Sequence, residues 1–319
     1  MSVRILDEHD VRRLLPMAAC IDVMADALAS LARDELHNPL RFVVRPPGEQ
    51  TLMGLMPAHR SSPAPLYSLK TVVIAPSNAA RGLDLHQGFV ALFDGETGET
   101  RAVMNAGGIT AVRTAAVSGV ATRLLARQDA RTLAILGAGI QAKAHLEAMR
   151  AVRDFDRVLV WSRTPGRAAE LAGVEEAETA EAAVRDADVV VTATSAPEPI
   201  LLREWLKEGA HVNAAGSSIP TTRELDTATM AAASLFVDRR ESTLNEAGDY
   251  LFPMREGAIG PEHIRGELGE ILIGAVPGRT CEDELTVFKS LGLAVEDLAA
   301  AEYVLQRAEA ENAGTVVSL

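Results

Sequence analysis

The chain is poor in cysteine: Cys20 and Cys281 are the only two in 319 residues. A disulfide framework is therefore excluded, and their unrelated contexts lack metal-ligand spacing, so no metal is expected. Both read as buried, reduced thiols, because free cysteine is among the most buried residue types. Positive charge is scarce as well, with 31 Lys and Arg against 44 Asp and Glu and a net charge of -13. A nucleic-acid partner needs a basic face for its phosphates, and this balance argues against one. A small anionic substrate needs only a local basic pocket. No apolar run approaches the roughly 20 residues of a membrane span, so no membrane partner is expected. The opening MSVRILDEHD carries charge where a signal peptide needs an apolar core. These absences point to a reducing, cytoplasmic setting. Internal repeats, low-complexity tracts and a disordered linker are also missing.

What is present is 48% hydrophobic and 24% charged residues, over a length that suits two domains. Between residues 10 and 36 the apolar positions Leu14, Leu15, Ile21, Met24, Leu28 and Leu31 recur at helical spacing, predicting one or two helices interrupted near Pro16. Residues 42–44, 51–55, 68–75, 88–93 and 101–105 are short β-rich runs, with a hairpin turn at 94–98 (DGETG). Strands so closely spaced predict a mostly antiparallel sheet, and 109–126 reads as a small-residue helix. From residue 132 strands (132–136, 157–161, 188–194, 211–215, 235–238) alternate with helices (140–150, 165–171, 179–186). That rhythm predicts an α/β, Rossmann-type doubly wound parallel sheet beside an α+β domain. An amphipathic helix at 295–310 is expected to return to the first domain.

A short apolar strand, Leu133 to Leu136, runs into Gly137-Ala138-Gly139-Ile140-Gln141-Ala142 and then a helix. This is the G-x-G-x-x-A dinucleotide fingerprint. Gly137 permits the tight turn, Gly139 lets the backbone approach a pyrophosphate, and Ala142 lets helix and strand pack closely. The pyrophosphate would rest on unpaired N–H groups at the helix N-terminus. Strand before and helix after are the context that gives the motif its meaning. Thr114, Thr194, Ser195 and Gly216 are further candidate cofactor contacts. The second strand ends in Trp161-Ser162-Arg163-Thr164, without the acid that would take a ribose 2′-hydroxyl. Two hydroxyls and a guanidinium suit a 2′-phosphate, so NADP(H) is the favoured cofactor. The alternative is that Arg163 stacks on adenine and NAD(H) binds as well.

These motifs, with LMP at 55–57, ITAVRTAA at 109–116, GAHVNA at 209–214, EAGD at 246–249, GELGE at 266–270 and VFKSLG at 287–292, are in an order and spacing that resemble the ornithine cyclodeaminase/mu-crystallin family over nearly the whole chain. His86-Gln87, Trp161–Thr164 and EPIL at 198–201 resemble its mu-crystallin, ketimine-reductase branch most closely. The resemblance implies a homodimer joined through the first-domain sheet. That domain would comprise residues 1–118 and 297–319, with the Rossmann domain at 119–296.

Arg41, Lys70 and Arg113 are basic residues in β-rich or apolar surroundings. Read alone they could be exposed edge-strand charges; the resemblance implies that they grip a substrate carboxylate, which suits a guanidinium fork. Arg45 is an alternative to Arg41. His86 either lines the pocket or is a satisfied core histidine. Asp238 ends a parallel strand, where ligands of such sheets bind. The resemblance implies an acid near the substrate nitrogen, the alternative being a helix cap. With Lys70 it is the candidate catalytic residue. Cyclodeaminases of the family carry a glutamate for the distal amine of ornithine where this chain has Gly54. The expected reaction is therefore NAD(P)H-dependent reduction of a carboxylate-bearing cyclic imine, such as Δ1-pyrroline-2-carboxylate. Ornithine cyclodeamination, oxidation of alanine or another amino acid, and cofactor-loaded binding without turnover remain alternatives. A second departure, Asn105-Ala106 in place of Asp-Gly, has no reading from sequence.

If Arg163 reads a 2′-phosphate, Arg163→Ala weakens NADPH by about 1–3 kcal/mol, the worth of a hydrogen bond to a charged group, and spares NADH. Fluorescence titration with both cofactors decides it; equal losses remove Arg163 from that role.

Overall fold

Close-spaced β runs in the first third of the chain become one mixed sheet. The computed structural model describes residues 2–318, and the chain divides into two units: the stretch up to Arg113 together with that from Leu293, and Thr114–Gly292. The first unit begins with β1 (Ser2–Leu6), α1 (Glu8–Leu14) and α2 (Met17–Ala32). Asp7 caps α1 by accepting the Asp10 N–H, and Pro16 is the N-cap of α2, so proline separates two helices as its fixed φ requires. Cys20, Ile21, Met24, Leu28 and Leu31 form the buried stripe of α2. Then come β2 (Leu36–His37), β3 (Phe42–Val44), β4 (Leu52–Arg60), β5 (Leu66–Ile74), β6 (His86–Asp94) and β7 (Thr100–Asn105). The β6–β7 turn is closed by Asp94, whose Oδ1 accepts the Glu96 and Thr97 N–H groups at 3.1 and 3.0 Å. Gly98 completes it at φ +74°. Helix α3 (Ala106–Leu125) follows at once. Asn105 caps it by accepting the Gly108 N–H at 2.7 Å, a role an aspartate would fill equally well.

The second unit holds β8 (Thr132–Leu136), α4 (Ile140–Val152), β9 (Arg157–Trp161), β10 (Glu175–Glu176), α5 (Ala180–Val184), β11 (Val189–Thr192) and β12 (His211–Ala214). After these come α6 (Thr227–Ala232), β13 (Ser234–Val237), α7 (Arg240–Glu246), α8 (Gly248–Arg255), β14 (Ile264–Glu267), α9 (Leu268–Leu272) and β15 (Thr286–Lys289). The strands make one parallel sheet in the order β10-β9-β8-β11-β12-β15-β13-β14. This bears out the α/β expectation and corrects its detail. Strands β10, β14 and β15 are additional, and β15 is inserted between β12 and β13. The helix expected at 165–171 is only a 3-10 turn at Ala168–Glu170, because Gly166 stands at φ +82°. Cys20 is buried as expected, but Cys281 is exposed.

The chain then returns to the first unit with α10 (Ala294–Glu311) and β16 (Thr315–Ser318). The mixed sheet runs β16-β1-β7-β6-β5-β4-β2, with β3 also on β4. Only the β1–β7 pair is parallel. Helix α10 packs on β4, β5, β6 and α2. Among the described residues no single helix is long and apolar enough to cross a membrane.

Gly88 of β6 lies so near its neighbour strand that a Cβ there would be 2.0 Å from the Thr71 carbonyl oxygen. Gly88→Ala should cost at least the roughly 1–3 kcal/mol of overpacking. An unchanged urea midpoint would mean that β5 and β6 separate freely at this point.

Candidate active site

The fingerprint turn behaves as its residues require. Gly137 sits at φ +125°, and a Cβ there would be 2.4 Å from the Ala193 carbonyl oxygen. Its N–H donates to Trp161 O at 2.8 Å, tying the turn between β8 and α4 to the end of β9. Gly139 is the N-cap of α4 and provides no side-chain cap, so the first-turn N–H groups look outward. A Cβ at Gly139 would meet nothing within 4 Å. Ala142 is fully buried, while Ile140 is half exposed beside the open helix end and Gln141 half buried. An open, uncapped helix N-terminus at an exposed glycine fits a dinucleotide pyrophosphate. Past β9, Ser162 Oγ accepts the Thr164 N–H at 3.2 Å, and Arg163 is exposed.

The loops after β11 and β12 carry Thr194, Ser195 and Gly216. Ser195 is exposed, whereas Thr194 and Gly216 are tied inward to one carboxylate. Glu224 Oε1 accepts the Thr194 N–H and hydroxyl at 2.8 and 2.7 Å. Its Oε2 accepts the Thr192 hydroxyl, Gly216 N–H and Ser217 N–H at 2.8, 2.8 and 3.2 Å. A Cβ at Gly216 would be 2.4 Å from Glu224 Oε1, so only glycine permits this approach. Behind Glu224, Asp249 Oδ1 accepts the Glu224 and Leu225 N–H groups, and Lys289 Nζ lies 2.9 Å from Asp249 Oδ2. All three side chains are buried. Burial pushes the Glu224 carboxyl up, Asp249 adds to that, and Lys289 and the two threonine hydroxyls oppose it. Thr194 therefore has both its hydroxyl and its N–H committed to Glu224.

Asp238 follows β13 and is 1% exposed. Its Oδ2 accepts the Leu291 and Gly292 N–H groups at 2.6 and 2.8 Å, and Oδ1 accepts that of Arg239 at 2.8 Å. The N-cap of α7 is Arg239. Asp238 thus joins the end of β13 to the turn after β15, rather than capping a helix. Thr114, on α3, is nearly buried.

In the first unit, strand alternation turns Lys70 of β5 inward toward α10, where it is 3% exposed. Its Nζ lies 2.6 Å from Asp297 Oδ2. Arg113 of α3 donates through Nε to Asp297 Oδ1 at 2.9 Å and through Nη1 to Glu296 Oε2 at 3.0 Å. The residues Glu296 and Asp297 occupy the first turn of α10, where the helix dipole favours anions. Desolvation pushes Lys70 down to about 8; Asp297 opposes the fall, and the Arg113 and Arg41 charges add to it. Burial would raise the Asp297 carboxyl, but Lys70 and Arg113 outweigh it and hold the group below the usual range. His86, at the start of β6, has its pKa lowered by desolvation and then by the Lys70 charge. Arg41, Lys70, Arg113 and His86 are thereby brought into one electrostatic neighbourhood, while Arg45 is exposed. Gly54 shares the inner face of β4 with Met56, the residue paired with Lys70. A side chain at position 54 would stand diagonally across from the ammonium.

Sequence reasoning missed five charged residues: Glu224, Asp249, Lys289, Glu296 and Asp297. Lys289 gave the same signal as Lys70, a charge in an apolar strand. The two acids of α10 looked like the polar face of an amphipathic helix.

A parallel Rossmann-type sheet with this turn defines a dinucleotide-binding protein of the NAD(P) oxidoreductase class. The chain belongs to the ornithine cyclodeaminase/mu-crystallin family, whose model matches residues 1–312. It is 43% identical over 272 residues to the ketimine reductase mu-crystallin of Mus musculus, covering 84% of each chain. Among solved structures, Δ1-pyrroline-2-carboxylate reductase of Thermococcus litoralis, in complex with NADH and L-proline, superposes with TM-score 0.94 at 36% identity, covering 98% of this chain and 99% of that one. An archaeal alanine dehydrogenase dimer with bound NAD does so with TM-score 0.94 at 31% identity, covering 100% of both.

The two glycines separate stability from binding. Gly137→Ala must strain a positive φ against a backbone oxygen, and should cost about 1–3 kcal/mol or more of stability. Gly139→Ala has room and should leave the melting temperature within a few degrees, yet weaken NADPH at least tenfold by filling the approach to the pyrophosphate. Calorimetry alongside cofactor titration tests both; full affinity in Gly139→Ala would move the pyrophosphate elsewhere.

Proposed function

We propose that the chain is a cytoplasmic, homodimeric reductase that uses NAD(P)H, with NADPH favoured, to reduce cyclic imines bearing a carboxylate, of the Δ1-pyrroline-2-carboxylate type. The observation that carries this reading is Lys70. An ammonium has three N–H donors, and among the described residues Asp297 is its one ion-pair partner. A buried cation with donors to spare suits an anionic group on the substrate. Arg113 beside it and Arg41 within its field complete the grip on the carboxylate, with His86 at the pocket wall. Thr114, Gly137, Gly139, Ile140, Gln141, Ala142, Thr194, Ser195 and Gly216 hold the dinucleotide, and Ser162, Arg163 and Thr164 its 2′-phosphate.

A reduced nicotinamide supplies hydride when bound. The residues of this chain supply position and charge. The carboxylate grip fixes the ring, and the Asp238 carboxylate is a fixed counter-charge for the protonated imine nitrogen, favouring the form that accepts hydride at carbon. As hydride adds, the C=N π electrons pass to nitrogen, and a cyclic amino acid results. The mixed-sheet unit then carries substrate binding and the parallel-sheet unit carries the cofactor. A dimer is supported by the apolar outer side of the mixed sheet, where Phe42, Val44, Met53, Tyr67 and Phe89 are exposed.

The deciding experiment follows NADPH and NADH oxidation with a panel of cyclic imino acids, and with 2-oxo acids plus ammonia. Cyclic imines should turn over and L-ornithine should not, because Gly54 offers no counter-charge for a second amine. Since the Lys70 ammonium loses its proton as pH rises through about 8, the KM for the imine should be lowest below that pH and climb above it. Conversion of ornithine to proline and ammonia near 1 s⁻¹, the low end of enzyme turnover, would overturn the reductase reading.

A further inference from the structure

The start of α10 meets elements from four places in the sequence. Asp297 Oδ2 faces Lys70 Nζ of β5 at 2.6 Å, and its Oδ1 accepts from Arg113 Nε of α3 at 2.9 Å. The helix start is itself pinned, because the Val295 N–H donates to Asn38 Oδ1 at 3.1 Å. Asn38 lies three residues before Arg41. From α2, the buried Cys20 thiol feels both Arg113 and Glu296, and burial pushes that thiol up to about 12, so it is no competing anion. Lys70 and Asp297 are 3% and 0% exposed. One carboxylate therefore spans two cations, one on each oxygen.

We infer that Asp297 is a positioning residue for the carboxylate grip: its two oxygens set the Lys70 ammonium and the Arg113 guanidinium side by side, and its charge keeps the buried lysine protonated to receive the substrate. The inference deepens the proposed function and rests on it for the identity of the ligand. Its physical basis is the desolvation of the lysine. A buried ammonium is driven toward its neutral form unless an anion opposes this. Arg113 and Arg41 push the same way as burial, so Asp297 opposes three unfavourable influences at once. Glu296 answers Arg113 at 3.0 Å and makes the pair of acids match the pair of cations. Asp297 touches neither substrate nor cofactor in this scheme. It acts through Lys70 and Arg113, which make the contact.

The groups facing Lys70 are Asp297 from α10, Arg113 from α3, Arg41 from the segment before β3, and His86 from β6, while Glu296 answers Arg113. Of these, Asp297 is the anion in contact. Removing its charge must lower the lysine pKa, so the alkaline rise in KM must move to lower pH.

The test compares wild type, Asp297→Asn, Asp297→Glu and Glu296→Gln in the full-length protein. One readout is the Lys70 titration by carbon-13 NMR of labelled lysine, assigned with Lys70→Met. The other is the pH profile of KM and kcat for Δ1-pyrroline-2-carboxylate with NADPH. Wild-type Lys70 should titrate well below an ordinary lysine. Asp297→Asn should lower it by a further unit or more, shift the alkaline limb by the same amount, and raise KM at neutral pH at least tenfold, with kcat changed less. Asp297→Glu, which keeps the charge, should restore the titration, and Glu296→Gln should leave it within half a unit of wild type. An unchanged lysine titration in Asp297→Asn, or one moved equally by Glu296→Gln, overturns the inference. If Asp297→Asn does not fold, the wild-type titration still decides: a Lys70 already neutral at neutral pH, with Asp297 in place, refutes the inference. Wild-type protein that reduces no carboxylated imine defeats the functional reading alone, since the NMR titration judges Asp297 without turnover.

Discussion

A charge taken out of water must meet its opposite or lose its proton, and the first unit is organised around that constraint. Lys70 and Arg113 lie under α10 with Glu296 and Asp297 against them. Such clusters add little net stability, since desolvation of the ions offsets most of their attraction. Their use is specificity: with one partner removed, the other charge is left buried and alone. In the proposed function this cluster is a grip formed before the ligand arrives, at the cost of holding a lysine near its titration point.

The second unit repeats the device in another form. There Lys289 is answered by Asp249, and Asp249 holds the backbone that presents Glu224. Glu224 in turn fixes two loops at the carboxyl ends of β11 and β12, where ligands of open parallel sheets bind. Here the buried charges hold main-chain N–H groups. Hydroxyls that look available from the sequence, such as that of Thr194, are already committed inward.

Much of this was legible from local chemistry. Pro16, the Asp94–Gly98 turn and the fingerprint glycines each act through the φ or hydrogen bonds of their own neighbourhood, and each appears where the residues say it should. The shorter elements were less legible. Strand β14, Ile-Arg-Gly-Glu, has no apolar run for a strand pattern to register, whereas β11 and β13 of the same length do. The segment at 165–171 has helix-forming residues but contains Gly166 at a positive φ. Cys281 looked like a buried thiol because residue type alone says nothing about which loop it lies on.

The sequence by itself determined the dinucleotide turn, the βαβ rhythm and the presence of basic residues in apolar strands, because those depend on contacts a few residues apart. Only the tertiary structure decided which acids answer those bases. Lys70 meets Asp297, and Asp238 meets the turn at Leu291, across long separations that no local pattern encodes. Pairing of buried charges is a property of the closed core: burial makes each charge demand a partner, and the packing of α10 on the sheet selects which one it finds.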